Sequence, residues 1–238
     1  MKTDLAVITA HPDDAELSAA GTVLKLLDRG KSVAIIDLTA GELGTRGTVS
    51  TRRAEAHHST TLMGLDPERR VNLGLPDGFF QPDEPSIRLV IEQLRYWQPT
   101  TVITNAPDDR HPDHGRAAAL VRQACFLAGL PKIATTYCGR PQTAHRPQHL
   151  FYCIQDRFII PQVVVDISPY FERKLQTILA YRTQFYDPTS TEPETHISRP
   201  GYLEFIRARA RQMGHYIGVE YGEGFLYEGV LPLDLPLV

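Results

Sequence analysis

The sequence predicts an α/β fold in three layers, a Rossmann-like, mostly parallel sheet flanked by helices on both faces. Two observations carry this. Over the first 130 residues, short β-branched apolar runs alternate with runs of helical spacing, the pattern of strands joined by crossover helices. Two near-copies of one tetrad, His11-Pro12-Asp13-Asp14 and His111-Pro112-Asp113-His114, each follow an apolar run and precede a helical stretch. Ligands of such sheets bind beyond the carboxyl ends of the strands, so both tetrads fall where a site is expected.

The elements follow in order. Asp4 to Ala10 reads as a buried strand. Leu17, Ala20, Leu24 and Leu27 recur at helical spacing within 17–29, and Gly30 ends that helix. Ser32 to Thr39 is a second strand, and a glycine-rich loop, Ala40 to Val49, leads to a helix that Ser50 or Thr51 can cap. Arg70 to Leu73 is a short strand. Ile87, Val90, Ile91, Leu94 and Trp97 mark an amphipathic helix, and Thr100 to Thr104 a further strand. A helix over about 113–128 stops at Gly129. In the less regular second half, 149–154 and 162–167 read as strands and 169–181 and 200–213 as helices. Between those helices, Tyr186 to Arg199 is rich in Pro, Thr and Ser, which predicts a long loop able to move and cover the site. The expected organisation is one domain over 1–238, regular over 1–130 and less so over 131–238.

Composition narrows the class. A net charge of -3 offers no support for nucleic acid or an anionic membrane as partner. Cys125, Cys138 and Cys153 have no CxxC spacing, so they read as reduced thiols rather than a disulfide framework or zinc ligands. The acidic Asp13, Asp14 and Glu16 interrupt any secretory signal, and no run reaches the length of a membrane span. The expectation is a cytoplasmic protein.

The tetrads carry the chemistry. The residue before proline is driven out of the α region, so His11 and His111 stay extended at their strand ends. Proline suits a first helical position, which places the third and fourth residues of each tetrad in a first helical turn. Plain helix starts are the bland alternative, because acidic side chains favour the positive end of a helix. Helix starts, however, require no histidine on the strand end, and they leave His114 unexplained. A catalytic zinc has three protein ligands and one open position, and four candidates stand here: His11, Asp14, His111 and His114. Spacing leaves open which of them stands aside, and whether Asp13 or Asp14 is the base.

The motif AHPDDAE (10–16), with HPDHG (111–115) downstream, resembles the LmbE-like or PIG-L family of zinc-dependent N-acetylglucosaminyl deacetylases. GELGTRGT (41–48), TRRAEA (51–56), NLGLPDG (72–78), YRTQFY (181–186) and GVEYGEGF (218–225) extend the likeness over nearly the whole chain. It is strongest toward the branch that deacetylates N-acetylglucosaminyl-malate in bacillithiol synthesis. The resemblance implies His11, Asp14 and His114 as ligands of Zn2+ (ferrous iron being an alternative with such ligands), Asp13 as general base and His111 as a non-ligating helper at the scissile carbonyl. Asp113 is then expected to orient the His111 ring and favour its imidazolium. A small glycoconjugate is the implied substrate, and a homo-oligomer such as a hexamer the implied assembly.

By the same resemblance, Arg53 and Asp77 contact sugar hydroxyls, and Glu42 lies near the site. A malate moiety carries two carboxylates, which calls for arginine forks; Arg46 and Arg110 are the nearest in sequence. His57, His58, His145, His149 and His215 follow no ligand spacing and read as surface or core residues, while His196 in the long loop is left unassigned. Phe79, Phe80, Tyr181, Phe185 and Tyr186 read as packing. Related activities on another N-acylated sugar conjugate share this pattern. A non-catalytic nucleotide- or sugar-binding module fits poorly, because the first strand is followed by HPDDAE and not by a glycine-rich phosphate loop. No G-x-S-x-G elbow marks a serine hydrolase.

Overall fold

A computed structural model describes residues 2–231 of the chain. Its strands are β1 (Thr3–Thr9), β2 (Val33–Thr39), β3 (Arg70–Leu75), β4 (Pro99–Asn105), β5 (Thr136–Tyr137), β6 (Arg140–Pro141), β7 (His149–Cys153), β8 (Val163–Asp166) and β9 (Gly222–Tyr227). Its helices are α1 (Asp14–Asp28), α2 (Val49–Met63), α3 (Glu84–Trp97), α4 (Pro112–Ala128), α5 (Phe171–Leu179) and α6 (Tyr202–His215). Seven strands form one sheet in the order β3-β2-β1-β4-β7-β9-β8. The first five run parallel, and β9 is antiparallel to both of its neighbours. The predicted three-layer α/β architecture is present.

Side chains alternate across a strand, and both faces of this sheet are covered. On one face Ala6, Ile8, Ala34 and Ile36 pack with Val90 and Leu94 of α3 and Leu120 and Val121 of α4. On the other, Leu5, Val7, Val33 and Ile35 pack with Ala19, Ala20 and Val23 of α1. A further cluster joins Leu17 of α1, Ala56 of α2, Ile178 of α5 and Ile206 of α6. Burial on both faces explains why β1 and β2 are almost unbroken apolar runs. Each enclosed Ile or Leu contributes about 1.5–3 kcal/mol.

Some expectations are corrected. Thr48, not Ser50 or Thr51, caps α2, in a reciprocal pair with the Thr51 side chain. α1 begins at Asp14, three residues before the expected Leu17, so the first tetrad runs directly into the helix. α5 is shorter than 169–181, because a 3-10 turn over Ser168–Tyr170 precedes it. β9 and the small β5–β6 hairpin were not foreseen. In β9, a Cβ on Gly222 would lie 2.7 Å from Val164, and one on Gly224 2.6 Å from Met213. The glycines that hide this strand from a propensity reading let α6 and β8 lie close against it.

Candidate active site and metal centre

The strand order reverses between β1 and β4: β2 and β3 extend the sheet on one side, β7 and its successors on the other. A crevice opens beyond such a switch point. His11 follows β1 and His111 follows β4, so their rings meet across it, edge to face with centroids 4.6 Å apart. Where the two strands part, the Ala10 N–H donates to Asn105 Oδ1 at 2.8 Å, tying the loop ends together.

The tetrads differ in backbone. In the second, His111 is extended (φ -83°, ψ 127°), Pro112 opens α4, and the Asp113 N–H donates to His111 Nδ1 at 3.3 Å. In the first, Asp13 occupies the cap position of α1 with φ 124°, a region a non-glycine residue rarely enters. The Asp13 carboxylate makes no capping bond to the helix. It accepts instead from Arg52 Nη2 at 3.1 Å, while Arg52 also donates to Pro12 O at 2.6 Å. A helix-start role therefore fails for Asp13, and the strained turn is held by Arg52.

A histidine that ligates a metal usually gives its other ring nitrogen to a carboxylate, and both candidate ligand histidines do so. His114 Nδ1 lies 2.7 Å from Asp109 Oδ2, which leaves Nε2 3.2 Å from Asp14 Oδ1. His11 Nε2 lies 3.0 Å from Asp77 and 3.2 Å from Asp113, which leaves Nδ1 3.4 Å from Asp14 Oδ2. The two remaining ring nitrogens thus face one buried carboxylate, a donor set suited to a divalent metal with an open position. Among the described residues, ligand atoms also come within 4.8 Å of one another in His11, His111 and His114, and in His11, Asp77 and Asp113. The second of these groups is a poorer cage, because Asp113 already accepts from the Gly78 N–H and Arg116, and Asp77 from the Leu43 N–H.

Burial and charge set the protonation states. Burial opposes the His11 imidazolium, but its hydrogen bonds to Asp113, Asp14 and Asp77 prevail and raise its pKa well above the ordinary value. Burial likewise opposes the His114 charge, yet the Asp14 and Asp109 carboxylates lift it to about 9. Desolvation pushes Asp13 up to about 7, against the pull of Arg52 and with the help of Asp14. His111 is lowered to about 4, first by burial and then by the charges of His11 and His114.

Two expectations fall here. Burial first, and then the charges of His11 and His114 in the metal-free protein, hold His111 toward the neutral imidazole rather than the expected imidazolium. The Asp113 carboxylate does not orient His111: it faces His11, Gly78 and Arg116. Residues two apart on a helix point to different sides, so Asp113 reaches His111 only through its backbone N–H.

The structure redistributes the substrate candidates. A cleft of about 310 Å3 over the centre is lined by His11, Asp13, Asp14, Asp77, Arg110, His111 and His114 from the expected set. Arg53 is absent from it and lines a separate groove of about 540 Å3 beside Asp37 and Arg70. On α2 the buried positions are Arg52, Ala56, Ser59, Thr60 and Met63, which turns the neighbouring Arg53 outward. Asp77 is buried and spends both oxygens on His11 and the Leu43 N–H rather than standing free for a sugar. Glu42 accepts from the Asp77 N–H at 2.7 Å and so braces that turn. Arg46 is buried against Ser190, Glu192 and Phe185 O, fastening the 186–199 loop instead of offering a fork to a carboxylate. Arg110 does lie at the mouth of the cleft, 3.3 Å from Asp156.

His196 lines the cleft with Thr195 and Ile197, and its Nε2 lies 2.7 Å from Asp156 Oδ2. Three residues of the 186–199 loop therefore border the cleft. Phe79, read as packing, is 73% exposed, whereas Phe80, Tyr181 and Phe185 are buried. Arg52, Asp109, Asn105 and Gln155 went unread in the sequence. Only Arg52 had a local signal, its helical spacing from Ala56, Ser59 and Met63.

The sequence model of the PIG-L family, described as GlcNAc-PI de-N-acetylase, matches residues 6–125, half of the chain. The diacetylchitobiose deacetylase of Thermococcus kodakarensis is 27% identical over 92% of this chain and 81% of its own length. A probable N-acetyl-alpha-D-glucosaminyl L-malate deacetylase 2 of Bacillus anthracis is 27% identical over 75% of this chain and 80% of its own. The crystal structure of a conserved protein of Thermus thermophilus superposes with a TM-score of 0.85 at 34% identity, covering 99% of both chains. Among the described residues no helix is long and apolar enough to cross a membrane. With the family's sequence pattern lying across both strand ends that build the crevice, this chain belongs to the PIG-L family of de-N-acetylases.

Proposed function

We propose that this chain is a metal-dependent hydrolase that removes the acetyl group from an N-acetylglucosamine conjugate. One observation carries the reading: two carboxylate-backed histidines direct their remaining ring nitrogens at Asp14, while the adjacent Asp13 stays outside that set and is poised near neutrality. His11, Asp14 and His114 would hold zinc or ferrous iron, and the bound ion would supply the Lewis-acid polarisation that amide hydrolysis needs at neutral pH. Asp13, raised to about 7 by burial, can take the proton of the attacking water and pass it to the departing amine. Water oxygen joins the acetyl carbon, the C–N bond breaks, and acetate and a sugar amine leave. Arg52 keeps Asp13 turned away from the helix and toward the cleft. His111 accepts the Asp113 N–H at Nδ1, so its neutral ring carries its proton on Nε2 and can donate it to the developing oxyanion.

N-acetylglucosaminyl-malate is the conjugate we favour, supported by the likeness to the Bacillus anthracis protein and by Arg110 at the cleft mouth. A neutral saccharide such as diacetylchitobiose is the second reading. The diversion of Arg46 into the loop and the likeness to the Thermococcus kodakarensis protein favour it. Free amine released from each of the two compounds by zinc-loaded protein decides between them. No release from either, nor from N-acetylglucosamine, refutes the deacetylase reading.

A further inference from the structure

Asp14 is held by more than the histidines it faces. Its Oδ2 accepts from the His11 N–H at 3.0 Å and from Asn105 at 3.3 Å. Its Oδ1 accepts from Gln155 Nε2 at 2.8 Å and faces His114 Nε2. A ring nitrogen that ligates a metal has no proton to donate, so in the metal-bound state Gln155 is the donor left to Oδ1. Gln155 lies two residues past β7, the strand beside β4, and is 8% exposed, while Asp14 is 2% exposed. Arg209 of α6 donates to the carbonyls of Gln155 and Asp156, which fixes the turn that carries it.

We propose that Gln155 is a positioning residue for Asp14, aiming its carboxylate at the histidine pair; this rests on the metal-centre reading above. The other end of the amide argues for the role. Gln155 Oε1 is buried and has no hydrogen-bond partner among the described residues, so an amide at this place is costly as packing alone. An apolar side chain of equal length fills the space without an orphaned acceptor. What the amide adds is its Nε2 end, on the carboxylate that both histidines face. It also brings the turn after β7, the outermost of the five parallel strands, into the centre.

The test is Gln155→Met, which keeps length and volume and removes the donor. Zinc affinity, measured by competition with a chromophoric chelator, should weaken by about 10- to 100-fold. The visible absorption of the Co2+-loaded protein should change shape, because the ligand geometry loosens, while the melting temperature of the metal-free protein stays near wild type. Zinc affinity within twofold of wild type, with a superimposable Co2+ spectrum, overturns the proposal. Should the Met variant fail to fold, Gln155→Asn, whose amide stops one methylene short, is read in the same way. Failure of the wild-type chain to take up Zn2+ or Co2+ sinks the metal-centre reading and this proposal with it. That outcome is distinct from an unchanged affinity in the variant.

Discussion

Arg52→Met removes the cation that faces the proposed base. Arg52 Nη2 stands 3.1 Å from Asp13 Oδ2, with the two side chains only 6% and 7% exposed. Breaking a buried pair by deleting one partner costs about 3–5 kcal/mol, and the protein can escape part of that by protonating Asp13. Asp13 already sits at about 7 because of burial, and Arg52 is the main influence holding it down. Each 1.36 kcal/mol of charge stabilisation withdrawn raises a pKa by about one unit. One such unit cuts the ionised fraction at pH 7 from about a half to about a tenth, so kcat/KM at pH 7 should fall about fivefold or more. The assay is kcat/KM against pH for wild type and variant, each loaded with zinc. The acidic limb should move upward in Arg52→Met, with activity recovering toward pH 9. Arg52→Lys should fall between, since it keeps the charge but not the fork that spans Asp13, Pro12 O and Gly41 O. An unmoved acidic limb in the Met variant refutes the reasoning.

Other outcomes follow from the same geometry. Asp13→Ala should retain zinc yet lose about 10²- to 10⁴-fold in turnover, whereas His114→Ala should lose the metal; substantial activity in the Asp13 variant removes it as base. In the metal-free protein His114 titrates at about 9 and His11 is also raised. Stability from a raised histidine is complete below the unfolded value of about 6.5 and is lost as pH climbs through the folded one. Chelated protein should therefore melt lower as pH rises from about 7 to 9, and a level or rising melting temperature contradicts the two imidazolium assignments. Gly41 has φ +67°, and a Cβ there would lie 1.8 Å from Arg52 Nη1, whereas Gly30 at φ +70° has open space. Denaturant titration should show Gly41→Ala costing more than Gly30→Ala, by about 1 kcal/mol or more; equal losses mean Arg52 adapts freely.

The strand ends that bear the tetrads were legible because their strands are enclosed on both faces and so read as unbroken apolar runs. β9 was not, because its two glycines mimic a turn while serving close contact with β8 and α6. α2 is poor in apolar residues, so its inward face carries little hydrophobic signal, and packing against the rest of the fold sets it. Arg52 is on that inward face and Arg53 is not. Arg46 and Asp77 looked available for a substrate because their residue types suit one. Both are already satisfied by protein groups, Arg46 by the 186–199 loop and Asp77 by His11 and the Leu43 N–H.

Local sequence sets the layer architecture, the placing of two stiff histidine-bearing turns at strand ends, and the supply of imidazoles and carboxylates for a candidate metal centre. These are matters of local period, proline geometry and residue type, which act over a few residues. Which ring nitrogen meets which carboxylate, and so which are backed and which are free to ligate, depends on contacts between distant segments. His11 meets Asp77 from 66 residues away and Asp113 from 102, and Gln155 reaches Asp14 across 141. No local propensity encodes such pairings. They arise because the strand order reverses beside β1, gathering side chains from four separate loops around one buried carboxylate, where each hydrogen bond sets the protonation of the next.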